Sequence, residues 1–315
     1  MSHLSKVNFH IIFSEDIDAN LIEKQFLNGL WTKYELTPSY ADLKKTWKAV
    51  PTKESIEELG NLIIASVPPE KRAEFGSALM EGFGNLTFSK EVIIEALNKP
   101  YFTGKYLFAV GKTEWANVKW NDNSIADKKN AINGVDLVFT ATASPEDWEK
   151  SRSKLKYEHV NHHLLDCSDA HSFAGTMEKD RIGNCFTWIK SDTTFAGLRH
   201  ALLEFDDRVF VGEEPPKLKE VRQNRTHYIR SVEFRRVAGS RLEELWFDGQ
   251  VPINHGLVAI IGNKGSGKSA LADAIGLVGN CQQHKSFSFL NETRFRDPKQ
   301  HKAKYFEAAL RWESG

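Results

Sequence analysis

Hydrophobic and polar positions follow one another in blocks that predict strands and helices in turn. Short apolar runs at 106–111, 135–140 and 163–167 are typical of buried strands, and stretches with helical spacing separate them. A further strand is predicted over 7–13, followed by a helix over about 17–31. Strands that alternate with helices predict an α/β fold with a largely parallel sheet.

Helix starts can be placed from capping residues. Ser89 is the predicted N-cap of a helix over 91–98, within a region from 40 to 100 that is predicted to be mostly helical. Ser144 precedes Pro145 and an acidic first turn, which together indicate another helix start. One more helix is predicted to open at 192–194 and to reach about 205.

A polar stretch rich in proline and charge, residues 212–227, predicts a boundary between domains. We therefore expect an α/β domain over 1–211, a linker over 212–227 and a second domain over 228–315. The second domain is predicted to begin with a strand over 228–234, and another strand is predicted over 306–312.

The strongest chemical pattern lies in the second domain. Leu257–Ile261 is wholly apolar and predicts a strand buried on both faces of a parallel sheet. The residues after it fit G-x-x-x-x-G-K-[ST], the P-loop pattern that binds nucleotide phosphates, and a helix-forming run follows from Lys268. The alternative is a glycine-rich turn between strand and helix that binds nothing.

Each residue type of this loop suits phosphate binding. Glycine allows backbone angles that turn N–H groups inward toward an anion, and the helix N-terminus adds its positive dipole end. Lys268 would contact the β- and γ-phosphates, and Ser269 would offer its hydroxyl to Mg²⁺. The predicted ligands are thus ATP and Mg²⁺, and the predicted binding residues are Gly262, Asn263, Lys264, Gly265, Ser266, Gly267, Lys268 and Ser269.

A second candidate site follows the predicted strand at 163–167. Asp169 and His171 are two residues apart, and a carboxylate and an imidazole so placed can share a divalent ion. A turn stabilised by the aspartate side chain is the alternative. His159, His162 and His163 precede this pair and are either additional ligands or surface residues.

Composition excludes some classes of function. The 42 Lys and Arg residues balance 42 Asp and Glu residues, so no overall field favours nucleic acid or membrane surfaces. No apolar run of about 18 residues is present, so no membrane association is expected. Three widely spaced cysteines and the absence of a signal peptide predict a cytoplasmic protein without disulfides.

Positive charge is nevertheless concentrated around the predicted linker, which makes a local DNA-binding patch one hypothesis. A solvated linker with the polar face of an edge strand is the other. The cations are Lys217, Lys219, Arg222, Arg225, Arg230, Arg235, Arg236 and Arg241.

Several blocks together resemble one known family. The TrlF-like family is similar in five blocks, which are Asp166–Phe173, Phe186–Lys190, Thr194–Arg199, Asp207–Val209 and Gly212–Pro216, and Leu257–Ala274 fits its P-loop. Members of that family join a PHP-type phosphoesterase domain to an SMC/RecF-like ATPase. The resemblance covers 160–315 well and 7–30 weakly.

The resemblance implies a partial PHP-like (β/α) domain followed by the N-terminal lobe of an SMC/ABC-like P-loop NTPase. It also implies that Asp169 and His171 match a metal-binding motif for Mn²⁺ or Zn²⁺, with His10 as a further candidate and Ser269 as the ligand to Mg²⁺. The family's His-x-His motif and the acidic Walker B strand are both absent from this sequence. The chain is therefore expected to be part of a larger machine that binds ATP without hydrolysing it alone.

Two other functions remain open at this stage. One is a metal-dependent phosphoesterase or nuclease whose missing ligands come from another chain. The other is a non-catalytic accessory to a DNA-repair or phage-defence ATPase, with DNA or a partner ATPase chain as its binding partner.

Overall fold

The computed structural model describes residues 7–36, 46–111, 125–168, 170, 173, 182–240 and 248–315. The chain forms two compact units, Met1–Glu213 and Glu214–Gly315. The division falls inside the polar stretch 212–227. The secondary structure is a mixture of helices and strands, as expected for the α/β class.

The first unit contains a four-stranded sheet in the order β1-β4-β5-β6. β4 pairs in parallel with β5, and β5 pairs in parallel with β6, whereas β1 is antiparallel to β4. The four predicted strands are all present, and the antiparallel edge makes the sheet mixed. Their bounds are β1 Phe9–Phe13, β4 Tyr106–Val110, β5 Leu137–Thr140 and β6 Leu164–Asp166.

Helices cover both faces of this sheet. On one face Val110, Val138 and Leu164 pack with Trp148 and Leu155 of the helix between β5 and β6. The other face packs against Phe195 and Phe205. The α-helices of this unit are α1 Lys53–Ala65, α2 Ala78–Asn85, α3 Lys90–Leu97, α4 Ile125–Asn133, α5 Pro145–Tyr157, α6 Phe195–Leu203 and α7 Phe205–Arg208.

Local signals placed the helix starts correctly. Ser89 accepts a hydrogen bond from the backbone N–H of Val92, and Ser144 accepts one from the backbone N–H of Asp147. Both serines therefore satisfy N–H groups that have no partner inside their helices. The helix predicted to open at 192–194 is α6, which Thr194 caps through the N–H of Gly197.

Two antiparallel ribbons of this unit lack a clear sequence signal. β2 Thr32–Glu35 pairs with β3 Thr46–Ala49, and β7 Thr187–Ile189 pairs with β8 Val209–Val211. In addition, the helix predicted over 17–31 is replaced by successive α, π and 3₁₀ turns between Ala19 and Gly29.

Packing explains that replacement. Ile17, Phe26 and Leu30 are all buried in one cluster around Phe102, so the backbone follows the positions of its apolar anchors rather than one helical period.

The second unit is built on a three-stranded antiparallel sheet in the order β10-β9-β11. Val232 and Phe234 of β9 face the helix that follows the glycine-rich loop. On the opposite face, the side chain of Gln250 donates to Ser231, and Arg311 pairs with Glu233. The elements are α8 Pro216–Gln223, β9 Ile229–Arg236, β10 Gly249–Pro252, α9 Lys268–Val278 and β11 Phe306–Trp312.

A buried strand is predicted for Leu257–Ile261, and the structure contradicts that prediction. These residues form no strand and are exposed to solvent, with Leu257 99% and Ile261 89% exposed. A strand needs hydrogen-bonding neighbours, and the described sheet of this unit consists of β10, β9 and β11 only. The apolar run therefore has no neighbouring strand within the described residues.

Candidate functional site

The site is the glycine-rich loop at the start of α9. Gly267 is the N-cap of this helix, in the left-handed region with φ 87° and ψ 6°, and no side chain caps the helix. The first N–H groups of a helix have no acceptor inside it. Those of Lys268, Ser269 and Ala270 therefore open toward the loop, where the positive end of the helix dipole favours an anion.

Glycine is required at further positions of the loop. Gly265 has φ +86°, which side-chain-bearing residues rarely adopt. A Cβ on Gly262 would lie 2.6 Å from Oγ of Ser266. The N–H of Ser266 donates to the carbonyl of Asn263 at 3.2 Å, which closes the turn. The loop therefore depends on backbone conformations that only glycine adopts easily.

Lys268 folds back over this loop. Its Nζ donates to the carbonyl oxygens of Gly262 at 2.7 Å and of Asn263 at 2.9 Å. No carboxylate pairs with Lys268 in the part of the chain that the structure describes. The loop thus contains a cation that is held in place but not neutralised.

The remaining residues of the predicted set lie on the surface of the loop. Asn263, Lys264, Ser266 and Ser269 are exposed. Ser269 is the second residue of α9. Among the described residues, no group of three or more His, Cys, Asp or Glu side chains is placed to hold a metal.

α9 is fixed to the sheet below it. Leu271, Ala274 and Ile275 pack in the cluster that contains Val232 and Phe234 of β9. The buried carboxylate of Asp273 accepts hydrogen bonds from the backbone N–H groups of Phe289 at 2.6 Å and Leu290 at 3.1 Å. The helix that presents the loop is therefore held on two sides.

Asp169 and His171, the predicted metal pair, lie outside the described residues. The preceding strand β6 ends at Asp166, which is 1% exposed and lies at the carboxyl edge of the sheet. Its carboxylate accepts from the N–H and hydroxyl of Thr142, both at 2.9 Å, and from the N–H of Phe186 at 2.9 Å. Asp166 therefore connects the end of β6 to the loop after β5 and to the residue before β7.

His10, the further metal candidate, is exposed on β1 and pairs with Ala109 of β4. Its ring lies 5.3 Å from that of Phe139. β1 and β6 are separated by β4 and β5, which corresponds to about 14 Å across the sheet. His10 is therefore far from Asp166 of β6, although both residues lie near the edge of the sheet at which β4, β5 and β6 end.

The three histidines that precede the pair lie at the amino end of β6, opposite Asp166. His163 stacks on Phe205 at 4.8 Å, and its Nδ1 lies 3.3 Å from the carbonyl of Asp136. Burial lowers the pKa of His163. His159 has a positive φ of 55°, in the turn that ends α5.

Ion pairs involve three of the seven described cations of the basic stretch around α8 and β9. Lys217 pairs with Glu220 at 3.1 Å, Arg222 pairs with Glu214 at 2.8 Å, and Arg235 pairs with Glu233 at 3.5 Å. Glu233 also accepts two bonds of 3.0 Å from Arg311, which lowers the pKa of Glu233. Arg241 lies outside the described residues.

Asp166 and Asp273 are the polar residues of these regions whose roles the sequence reasoning missed. Each is a buried carboxylate that holds a distant loop through its backbone N–H groups. The available signal was an aspartate inside an otherwise apolar strand or helix, because such a residue needs polar partners when it is buried.

Comparison with known proteins provides no relative: no family model, curated protein or solved structure matches this chain. Within the described residues, no helix is both long enough and apolar enough to cross a bilayer.

Proposed function

We propose that the loop Gly262–Ser269 binds the phosphates of a nucleotide, with ATP and Mg²⁺ as its ligands. The observation that carries the proposal is the combination of an uncapped helix N-terminus with an ammonium group held over the loop by two carbonyl oxygens. Both features place positive potential at one point, and no described carboxylate pairs with the ammonium.

Phosphate binding would use both features at once. The N–H groups of Lys268, Ser269 and Ala270 would donate to phosphate oxygens, as at other helix N-termini. The Lys268 ammonium would exchange the carbonyls of Gly262 and Asn263 for stronger, charge-assisted bonds to the β- and γ-phosphates. Ser269 would contribute its hydroxyl to the Mg²⁺ that accompanies the nucleotide.

The proposal is for binding rather than hydrolysis by this chain. Hydrolysis of a phosphoanhydride needs a group that positions water and carboxylates that help to hold the metal. The sequence contains no apolar run that ends in an acidic pair after the loop. The resemblance to the TrlF-like family supports ATP as the nucleotide and is itself part of the proposal.

The test is calorimetric titration of ATP with Mg²⁺ into the full chain and into a Lys268→Ala variant. We expect wild type to bind and the variant to bind at least about tenfold more weakly, because a charge-assisted contact contributes roughly 1.5–3 kcal/mol. The Lys268 ammonium contacts carbonyl oxygens of its own loop and is not part of the buried core, so we expect the variant to fold, which thermal unfolding of both proteins checks.

Lys285→Ala is the matched control. It removes the same charge from the same unit, but Lys285 is exposed and lies outside the loop, in the turn after α9. Binding within about threefold of wild type is expected for this variant. The proposal fails if wild type shows no heat of binding, or if the two lysine variants weaken binding equally.

A further inference from the structure

A second basic surface lies near the end of the chain, in residues 294–304, called here the basic segment. It contains five Lys and Arg residues and one acidic residue, Asp297. Arg296 and Lys299 form no ion pair within the described ranges. In the stretch around α8 and β9, by contrast, glutamates pair with Lys217, Arg222 and Arg235. The five cations are Arg294, Arg296, Lys299, Lys302 and Lys304.

Consecutive turns keep these cations close together. Backbone hydrogen bonds run from the N–H of Asp297 to the carbonyl of Arg294, from Gln300 to Asp297, and from Tyr305 to Lys302. Each such bond closes a turn whose ends are less than about 7 Å apart. The segment is thus compact, and its charges cannot spread as they would in an extended tail.

Asp297 is engaged in holding this backbone. One carboxylate oxygen accepts from the N–H of Lys299 at 2.9 Å, and the other accepts from the side chain of Gln300 at 3.2 Å. Both carboxylate oxygens of Asp297 therefore stabilise the turn. Asp297 offsets one positive charge of the segment, but it forms no ion pair with Arg296 or Lys299.

Aromatic packing anchors the segment to the second unit. Phe295 is buried, stacks on Phe289 at 5.0 Å and lies 5.8 Å from the ring of Phe306 in β11. The N–H of Phe289 donates to Asp273 of α9. The segment is therefore an ordered platform, with Phe295 directed inward between two arginines.

The surrounding surface favours a polyanion in water over a membrane. None of the exposed large hydrophobic side chains of the described chain lies between residues 279 and 311, so the segment has no apolar group to insert into lipid. A dense set of cations without exposed large apolar side chains around it fits a chain of phosphates, which lysine and arginine contact as charges.

We propose that the basic segment binds the phosphodiester backbone of nucleic acid. Contact would be through phosphates and independent of base sequence. This inference does not depend on nucleotide binding at the glycine-rich loop.

The experiment measures fluorescence anisotropy of labelled oligonucleotides with the full chain between about 50 and 200 mM salt. The test variant combines Arg294→Gln, Arg296→Gln and Lys299→Gln. We expect binding at low salt to weaken by roughly tenfold or more, and the slope of log affinity against log salt to become shallower by about 2 to 3. Duplex DNA, single-stranded DNA and RNA of equal length identify which polynucleotide binds best.

A matched control combines Arg222→Gln, Arg235→Gln and Arg311→Gln. It removes the same net charge from the same unit, but from cations that are paired with glutamates. We expect this control to bind within about threefold of wild type. Absence of binding to every oligonucleotide, equal loss in both variants, or binding to phosphatidylserine vesicles in place of oligonucleotides would each overturn the proposal.

Discussion

β5 and the segment before the glycine-rich loop are similar in sequence and opposite in environment. β5 reads Leu-Val-Phe-Thr from Leu137, and the other segment reads Leu-Val-Ala-Ile from Leu257. Leu137 is 0% exposed between two neighbouring strands, whereas Leu257 is 99% exposed in a segment without strand pairing. An apolar run therefore predicts that burial is favourable, but neighbouring strands determine whether it occurs.

The helices after these two segments differ as well. α5, which follows β5, is capped by the hydroxyl of Ser144, while α9 begins at Gly267 without a side-chain cap. Ser144 accepts from one of the first N–H groups, Pro145 has no N–H, and the acidic residues Glu146 and Asp147 lie in the first turn, so this helix start disfavours an external anion. The comparison therefore separates a helix start that serves folding from one that is open to a ligand.

The largest expected effect distinguishes the two leucines. Leu137→Ala should lower the free energy of unfolding of the first unit by about 2–5 kcal/mol, because it leaves a cavity in a fully buried core. Leu257→Ala should change stability by less than about 0.5 kcal/mol. Urea unfolding followed by circular dichroism measures both, and a similar loss in the two variants would show that residues 257–261 are buried in solution.

A smaller effect is expected at the carboxyl end of β6. Asp166→Asn should destabilise the first unit by about 2 kcal/mol, since the amide replaces a carboxylate that accepts bonds from Thr142 and Phe186. Asp207→Asn, at an exposed position of α7, is the control and should have almost no effect. The measurement is again urea unfolding, and equal stability of the two variants would contradict the role given to Asp166.

The smallest effect concerns pH. Burial lowers the pKa of His163 in the folded chain, so protonation favours the unfolded state. Its contribution to stability is complete above the unfolded pKa of about 6.5 and is lost as the pH falls through the lower, folded pKa. The free energy of unfolding should therefore decline less steeply with falling pH for His163→Gln than for wild type. Denaturant unfolding at a series of pH values measures both slopes, and identical slopes would contradict the lowered pKa of His163.

Local features of the fold could be predicted from the sequence because their causes lie within a few residues. Ser89 and Ser144 act on N–H groups three residues away, and the apolar runs of β4, β5 and β6 are short and well separated. The glycine pattern likewise identified the loop before α9, where Gly265 and Gly267 adopt positive φ values.

Features that depend on distant residues could not be predicted. The pairing of β7 with β8 joins residues about twenty positions apart, with helices α6 and α7 between the two strands. Asp166 and Thr187 exchange hydrogen bonds across a similar separation. The exposure of Leu257 follows from the strands available around it, which its own sequence does not specify.

The position of Lys268 has a consequence for the entropy of ligand binding. An unrestrained lysine side chain loses up to about 2 kcal/mol of rotamer freedom when it becomes ordered. In this structure the ammonium is already bound to the carbonyls of Gly262 and Asn263, so part of that loss has occurred during folding. A phosphate that replaces these carbonyls meets a preorganised cation, and less of its interaction energy is consumed in ordering the side chain.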